Sequence, residues 1–312
     1  MSTWTANDIP DLTDNVALVT GANSGLGYET SLALARKNAT VVLACRNLDK
    51  GEQAKQAILE HLPSAKLDLR ALDLASLASI RSFAEGVSAD YDRLDMLINN
   101  AGMIQPTRQE TADGIELQFG VNHLGHFALT GLVLDKLLTT ADSRVVNVSS
   151  GAHRMHPQID FDDLMGEQEY GRWKAYGQSK FANILFTVEL QRRLAKHHDH
   201  SCKAVAAHPG LSVTKFQPNA TETAQTSWLE RFFLNNLTPL LGQSAAQGAL
   251  PQLYAATAED VNGGDYYGPK WLKMRGTPVL EPPHENVHDE AMAVRFWEIS
   301  AELSGVRYEA LS

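Results

Sequence analysis

Short apolar runs alternate with helical patterns along most of this chain, and that order constrains the fold more than any other feature. The runs are Val16–Thr20, Val41–Ala44, Leu67–Leu72, Met96–Ile98, Val145–Val148 and Ala204–Ala207. Each leads into or out of turn residues. Parallel strands covered on both faces read this way, because strict alternation of apolar and polar positions is lost. The rhythm predicts an α/β fold with a doubly wound parallel sheet of Rossmann type. Asn47 and Ser76 are good N-cap residues and open two of the helices. The spacing predicts a long helix over about Asp113–Leu138 and another over about Tyr176–Leu194. The second carries an apolar stripe of Phe181, Ile184, Leu185, Val188 and Leu190. The tail resumes helix near Val287–Leu303.

A chain of 312 residues fits one large domain, as it would two small ones. The rhythm is interrupted at Lys215–Gly242, a polar stretch followed by an apolar one. We read residues 215–242 as a lid-like insertion over the site within a single domain spanning 1–312, with residues 1–13 as an N-terminal extension. The net charge is -10 and the pI about 5.5. That balance argues against nucleic acid and anionic membranes as main partners. It does not exclude a phosphate-bearing cofactor, which backbone amides can hold. Cys45 and Cys202 have no zinc or disulfide spacing. Met1–Asp14 has no apolar run, so no signal peptide is expected. Leu124–Leu138 is broken by His126, Asp135 and Lys136, so no integral membrane segment is expected. These features together predict a cytoplasmic protein.

Thr20-Gly21-Ala22-Asn23-Ser24-Gly25-Leu26-Gly27 follows the first strand and opens the first helix. Gly21 permits a tight turn, and Gly25 and Gly27 allow close approach of a pyrophosphate and of the sheet. Placement between strand and helix is what makes this more than a loop needing glycine. The second strand ends Ala44-Cys45-Arg46, without the carboxylate an NAD site offers to the ribose 2′-hydroxyl. Arg46 suits a 2′-phosphate, with Asn23 and Ser24 adding hydrogen bonds. NADP(H) is therefore favoured over NAD(H). The plainer reading makes Arg46 a solvated surface residue.

Tyr-x-x-x-Lys occurs three times: Tyr170/Lys174, Tyr176/Lys180 and Tyr266/Lys270. Its chemistry needs a helix, which alone puts both side chains on one face. Tyr266/Lys270 encloses Gly268-Pro269, and Tyr170/Lys174 encloses Gly171 in an irregular polar stretch. Only Tyr176/Lys180 opens a well-patterned helix. A lysine charge about 4 Å away, at an effective dielectric of about 20, favours phenolate by roughly 4 kcal/mol. That corresponds to about three pKa units, enough to make tyrosine an acid/base group. Without the other signals, Tyr and Lys on an amphipathic helix would be surface residues.

These pieces resemble the short-chain dehydrogenase/reductase family over about Asp14–Tyr267. In order they are the glycine turn, Asp73, Asn99-Asn100-Ala101-Gly102, Asn122, Ser149-Ser150, Tyr176-x-x-x-Lys180 and Pro209-Gly210. Val121–Phe127 and Leu43–Asn47 resemble the retinol dehydrogenase-like and protochlorophyllide reductase-like branch. The resemblance implies a catalytic set of Ser150, Tyr176, Lys180 and Asn122. Ser150 would bond the substrate oxygen, Lys180 the nicotinamide ribose, and Asn122 a water. Asp73 would hold the adenine amino group, and Asn99 would support the central strand. Leu26, Leu74, Asn100, Ala101, Gly102, Pro209, Gly210 and Thr214 would complete the cofactor site. Ser150 and Tyr176 lie 26 positions apart, about twice the gap of compact members, the extra piece being roughly His153–Tyr170.

Other residues carry weaker signals. His123 and His126 share a helix face, where packing beside the cofactor is favoured over metal binding; no metal site is expected. His197, His198 and His200 read as a solvated loop. Trp228, Leu229, Phe232, Phe233 and Leu237 suit equally an apolar lid or a helix packed on a sheet edge, a partner or a membrane. The favoured function is NADP(H)-dependent hydride transfer between nicotinamide and the carbonyl or alcohol of a small, lipophilic substrate. The alternatives are C=C reduction and a catalytically silent NADP(H)-sensing module. The helices over 113–138 and 176–195 also suit a homodimer interface.

Overall fold

In the computed structural model, residues 3–197, 201–212 and 242–311 are described. Eight strands form one sheet in the order β3-β2-β1-β4-β5-β6-β7-β8. They are β1 (Val16–Thr20), β2 (Thr40–Cys45), β3 (Leu67–Ala71), β4 (Met96–Asn99), β5 (Arg144–Val148), β6 (Lys203–Ala207), β7 (Tyr266–Trp271) and β8 (Arg275–Leu280). Pairing is parallel from β3 through β7, and β8 returns antiparallel on β7. The order reverses at β1, which pairs with β2 on one side and β4 on the other. Beyond the C-terminal ends of these strands a crevice opens, the usual ligand position in such sheets.

The strand pleat explains why the strands read as unbroken apolar runs. Leu18, Val42, Leu97 and Val145 face one layer; Val19, Leu43, Ile98 and Val146 face the other. The first layer is built by α3 (Leu77–Asp90), α5 (Gly125–Leu132) and α7 (Arg172–Leu194), joined by Trp297 of α10 (Glu290–Ser304). The second is built by α1 (Gly25–Ala35), α2 (Leu48–His61) and α9 (Leu250–Thr257). Leu18, Leu43 and Ile98 are fully buried, each contributing roughly 1.5–3 kcal/mol. Asn47 and Ser76 cap α2 and α3 as expected, accepting the N–H of Lys50 and Ser79.

Three expectations are corrected. The helix expected from Asp113 begins at Leu117, as α4 (Leu117–Phe119). Gly114 turns the chain with φ +77, and the Glu116 carboxylate accepts the N–H of Gln118 and Phe119. A π-helical turn, Gly120–Leu124, then leads into α5, and Val133 separates α5 from α6 (Leu134–Leu138). Helix α7 begins at Arg172, four residues before Tyr176. The strands β7 and β8 were not expected. Their glycines and prolines, among them Gly268-Pro269 and Pro278, read as breakers. They are tolerated because β8 is the edge strand and β7 pairs with β6 only at Tyr266 and Tyr267, so Gly268-Pro269 lies past that ladder, where a donor can be missing. The short helix α8 (Ala245–Gly248) precedes α9. Of the 215–242 segment, only Gly242 lies within the described residues.

Thr20, the last residue of β1, ties the crevice together. Its buried Oγ1 accepts the N–H of Asn100 and of Ala101, each at 2.9 Å. Asn100 Nδ2 answers with a bond to the Thr20 carbonyl at 2.8 Å. Thr20→Val keeps the side chain's shape but strands the Ala101 N–H and the His126 Nε2 acceptor, while the Asn100 N–H keeps the Ile98 carbonyl. It should lower stability by about 2–6 kcal/mol in urea unfolding, since each orphaned group costs about 1–3 kcal/mol.

Candidate active site

The glycine turn builds one wall of the crevice. Gly21 and Gly25 hold φ +67 and +55, which side-chain-bearing residues rarely adopt. A Cβ on Gly27 would fall 2.3 Å from the Gly21 carbonyl oxygen, so α1 could not seat against the turn with any larger residue. Ser24 is the N-cap of α1 but makes no side-chain cap bond, leaving first-turn N–H groups to face the crevice. Such an end suits a phosphate. Leu26 and Asn23 flank it, partly exposed. Arg46 stands exposed where β2 ends, and none of the hydrogen bonds or ion pairs among the described residues engages it. Asp73 follows β3, its carboxylate accepting the Ala75 N–H, and buried Leu74 packs beside Gly125. Asn100, Ala101 and Gly102 follow β4. These residues therefore ring one crevice, and they fit an extended dinucleotide.

The proton-bearing groups meet at the far side. Ser150 follows β5 and caps a 3-10 turn, Gly151–Arg154. Helix α7 reaches that turn at Gly177, where a Cβ would lie 3.0 Å from the Ala152 carbonyl. The close approach brings the Tyr176 hydroxyl into a hydrogen bond with Ser150. One turn on, Lys180 is buried, and its Nζ donates to the Val148 carbonyl at 3.1 Å. Lys180 Nζ and Asn122 Oδ1 both border Gly102, at 3.1 and 3.4 Å from where its Cβ would be. Asn122 accepts the Met103 N–H at 2.7 Å and donates to the Met103 carbonyl and Ser179 Oγ. Its amide thus ties the loop after β4 to α7.

The electrostatics differ from expectation. Burial pushes the Tyr176 hydroxyl up to about 12, against a smaller lowering from Ser150. Burial holds the Lys180 amine down, to about 8. Lys180 Nζ lies 5.9 Å from the centre of the Tyr176 ring. Desolvation opposes charge on both groups, and it outweighs their mutual attraction in the protein alone.

The other Tyr/Lys pairs separate as expected. Tyr170 stays outside α7 and donates to the Gln105 carbonyl, while Lys174 pairs with Asp160 at 2.9 Å. Tyr266 and Lys270 lie on β7. Ser149 Oγ donates to the Lys180 carbonyl, which leaves Ser150 as the serine facing Tyr176. Asn99 is buried and donates to Thr130 and Asn147, linking β4 to β5. Pro209 and Gly210 follow β6, Gly210 with φ +63. Thr214 and Trp228–Leu237 lie outside the described residues, as do His198 and His200.

Both helix histidines are packed in the core. His123 stacks near Phe296, with ring centroids 4.7 Å apart. His126 Nδ1 lies 3.1 Å from the Asn122 carbonyl and Nε2 lies 2.9 Å from Thr20 Oγ1. Its proton therefore sits on Nδ1, and burial holds its pKa down to about 3. The role of Thr20 escapes sequence reading, because a threonine ending an apolar run looks like ordinary strand composition. No helix among the described residues is long and apolar enough to cross a membrane.

Sheet order, glycine turn and crevice define a dinucleotide-binding α/β protein. The short chain dehydrogenase family profile matches residues 15–225. Retinol dehydrogenase 13 of Homo sapiens is 42% identical over 296 residues, spanning 93% of this chain and 84% of that protein. Retinol dehydrogenase 12 of Mus musculus is 39% identical over 299 residues, spanning 94% and 87%. A crystal structure of an uncharacterized protein from Mycobacterium paratuberculosis superposes with TM-score 0.79 at 38% identity, covering 98% of this chain and 99% of that one. A Shigella flexneri short chain dehydrogenase complexed with NADP shares the fold, with TM-score 0.62 at 24% identity, covering 82% and 97%. The chain belongs to the short-chain dehydrogenase family, in its retinol dehydrogenase-like branch, and is an NAD(P)-dependent dehydrogenase/reductase acting on CH–OH or C=O.

The depressed lysine makes a stability prediction. Between about pH 8 and its ordinary 10.5, Lys180 binds fewer protons in the folded chain than in the unfolded one. Its penalty is therefore fully present below that window and fades as pH rises through it. Lys180→Met should raise the Tm of the cofactor-free protein at pH 7. Thermal melts should show the gain shrinking by pH 10.

Proposed function

We propose that this chain interconverts a lipophilic alcohol and its carbonyl using NADP(H), with Tyr176 as general acid/base. The observation that carries the reading is that the Tyr176 hydroxyl meets Ser150, with buried Lys180 Nζ 5.9 Å from the Tyr176 ring and bordering Gly102. In the reductive direction Ser150 Oγ donates a hydrogen bond to the substrate oxygen. Tyr176 then hands its phenolic proton to that oxygen as negative charge develops. In oxidation the proton travels back from the alcohol to a Tyr176 phenolate. Lys180, through its ammonium, stabilises that phenolate and would hold the ribose hydroxyls. Asn122 fixes the Met103 backbone beside them. The bound nicotinamide supplies or accepts the hydride and, when oxidised, adds positive charge that favours the phenolate.

Arg46 supports NADP(H): it is exposed and unengaged at the strand end where an NAD site would carry a carboxylate. The uncapped α1 N-terminus, with Gly21, Asn23, Ser24, Gly25, Leu26 and Gly27, would hold the pyrophosphate. Asp73 and Leu74 would border the adenine. The relatives named retinol dehydrogenases point to a lipophilic alcohol as substrate class.

Tyr176→Phe should cut kcat by about 10²–10⁴-fold. NADPH affinity, read by fluorescence titration, should stay within a few-fold. Full turnover in that variant would refute the acid/base role. Arg46→Ala should weaken NADPH by about 10–100-fold, the value of a charge-assisted bond, and leave NADH nearly unchanged. Equal effects on both cofactors would remove the case for NADP(H).

A further inference from the structure

A buried network lies beneath the site and uses a carboxylate outside the catalytic set. The ladder between β5 and β6 ends where the Ser149 N–H donates to the Ala207 carbonyl at 2.8 Å. Past that bond the two strands run into separate turns, one carrying Ser150 and the other Pro209 and Gly210. Glu281, the residue after β8, sits between them and is 6% exposed. Its Oε1 faces His208 Nε2 across 3.1 Å, off the axis of an ideal hydrogen bond, and Arg154 Nη2 across 3.8 Å.

Each partner grips one turn. His208 Nδ1 accepts the Gly210 N–H at 3.2 Å, so the ring proton sits on Nε2, toward Glu281. The ring stacks on Tyr266, with centroids 5.2 Å apart and planes 26° apart. Gly268 makes room for it: a Cβ there would lie 2.0 Å from Nε2. Arg154 ends the 3-10 turn that Ser150 caps, and its Nη2 also donates to the Pro282 carbonyl at 2.6 Å. Within the same turn His153 Nδ1 donates to the Ser150 carbonyl at 2.7 Å and lies 3.4 Å from the Tyr266 hydroxyl.

We infer that Glu281 is a positioning residue. Through His208 and Arg154 it holds the Ser150 turn and the Pro209–Gly210 turn at one separation, and so sets the distance over which hydride moves. The inference rests on the reading that these two turns flank the reacting carbon. Neither turn reaches the other by backbone, so the side-chain clamp supplies the register that the sheet ladder no longer provides. A misplacement of about 1 Å at such a centre can slow a reaction about 100-fold.

The test uses the full chain with NADPH and a carbonyl substrate. Glu281→Gln keeps shape and acceptor but removes the charge that draws Arg154. Glu281→Ala removes both contacts. Expected are a kcat reduced about tenfold in the first and about 100-fold in the second, with NADPH Kd within about threefold. The isotope effect on kcat from 4-deuterated NADPH should rise, as hydride transfer becomes limiting. Arg154→Met, at a side chain 35% exposed, should show the same isotope signature even if Glu281→Ala fails to fold. Variants that bind NADPH and keep wild-type kcat and isotope effect overturn the inference. So does activity lost only in step with NADPH binding. Tyr176→Phe separates the two readings. If it is inactive while the Glu281 and Arg154 variants behave as wild type, only the positioning role falls; if it is active, both fall.

Discussion

The bond from Thr20 to the chain after β4 is the constraint on which the site depends. Two neighbouring parallel strands must diverge where the sheet order reverses, and their exposed ends would otherwise be free to spread. One hydroxyl accepts two backbone N–H groups, and the Asn100 side chain returns to the Thr20 carbonyl. His126 extends the same chain of bonds to the Asn122 carbonyl in the π-helical turn. Gly21, Gly102 and Asn122 are thereby placed relative to one another by buried polar contacts, which are costly to break.

Burial acts in two directions within the crevice. It gives Ser150, Tyr176 and Lys180 a low-dielectric setting in which each hydrogen bond counts for more. It also makes charge on Tyr176 and Lys180 unfavourable in the protein alone, with values near 12 and 8. The site is therefore destabilised as built, and an incoming cofactor with hydroxyls and charge would relieve that strain. This is a common relation between function and stability.

Much was legible in the residues. Apolar runs located six strands to within one residue at each end, because strands buried on both faces leave so plain a pattern. Of the three tyrosine–lysine pairs, only Tyr176 and Lys180 lie together on a helix, since Tyr170 precedes α7 and Tyr266 and Lys270 lie on β7. The N-caps Asn47 and Ser76 followed from local chemistry. By contrast, β7 and β8 were hidden by glycine and proline residues, which are tolerated where β7 runs past β6 and along the edge strand β8. The late start of the helix at Leu117 depended on Glu116 capping it and on Gly114 turning the chain.

The sequence alone determined the α/β order, the glycine turn and the tyrosine–lysine pair, because each is written in spacing between near neighbours. Tertiary structure decided the rest: that Ser150 rather than Ser149 meets Tyr176, that Asn122 clamps Met103, that Thr20 locks the switch point, and that Glu281 meets His208 and Arg154. Those partners lie tens to more than a hundred positions apart. Their contacts come from how layers pack and from what burial does to charge, and no local pattern encodes either.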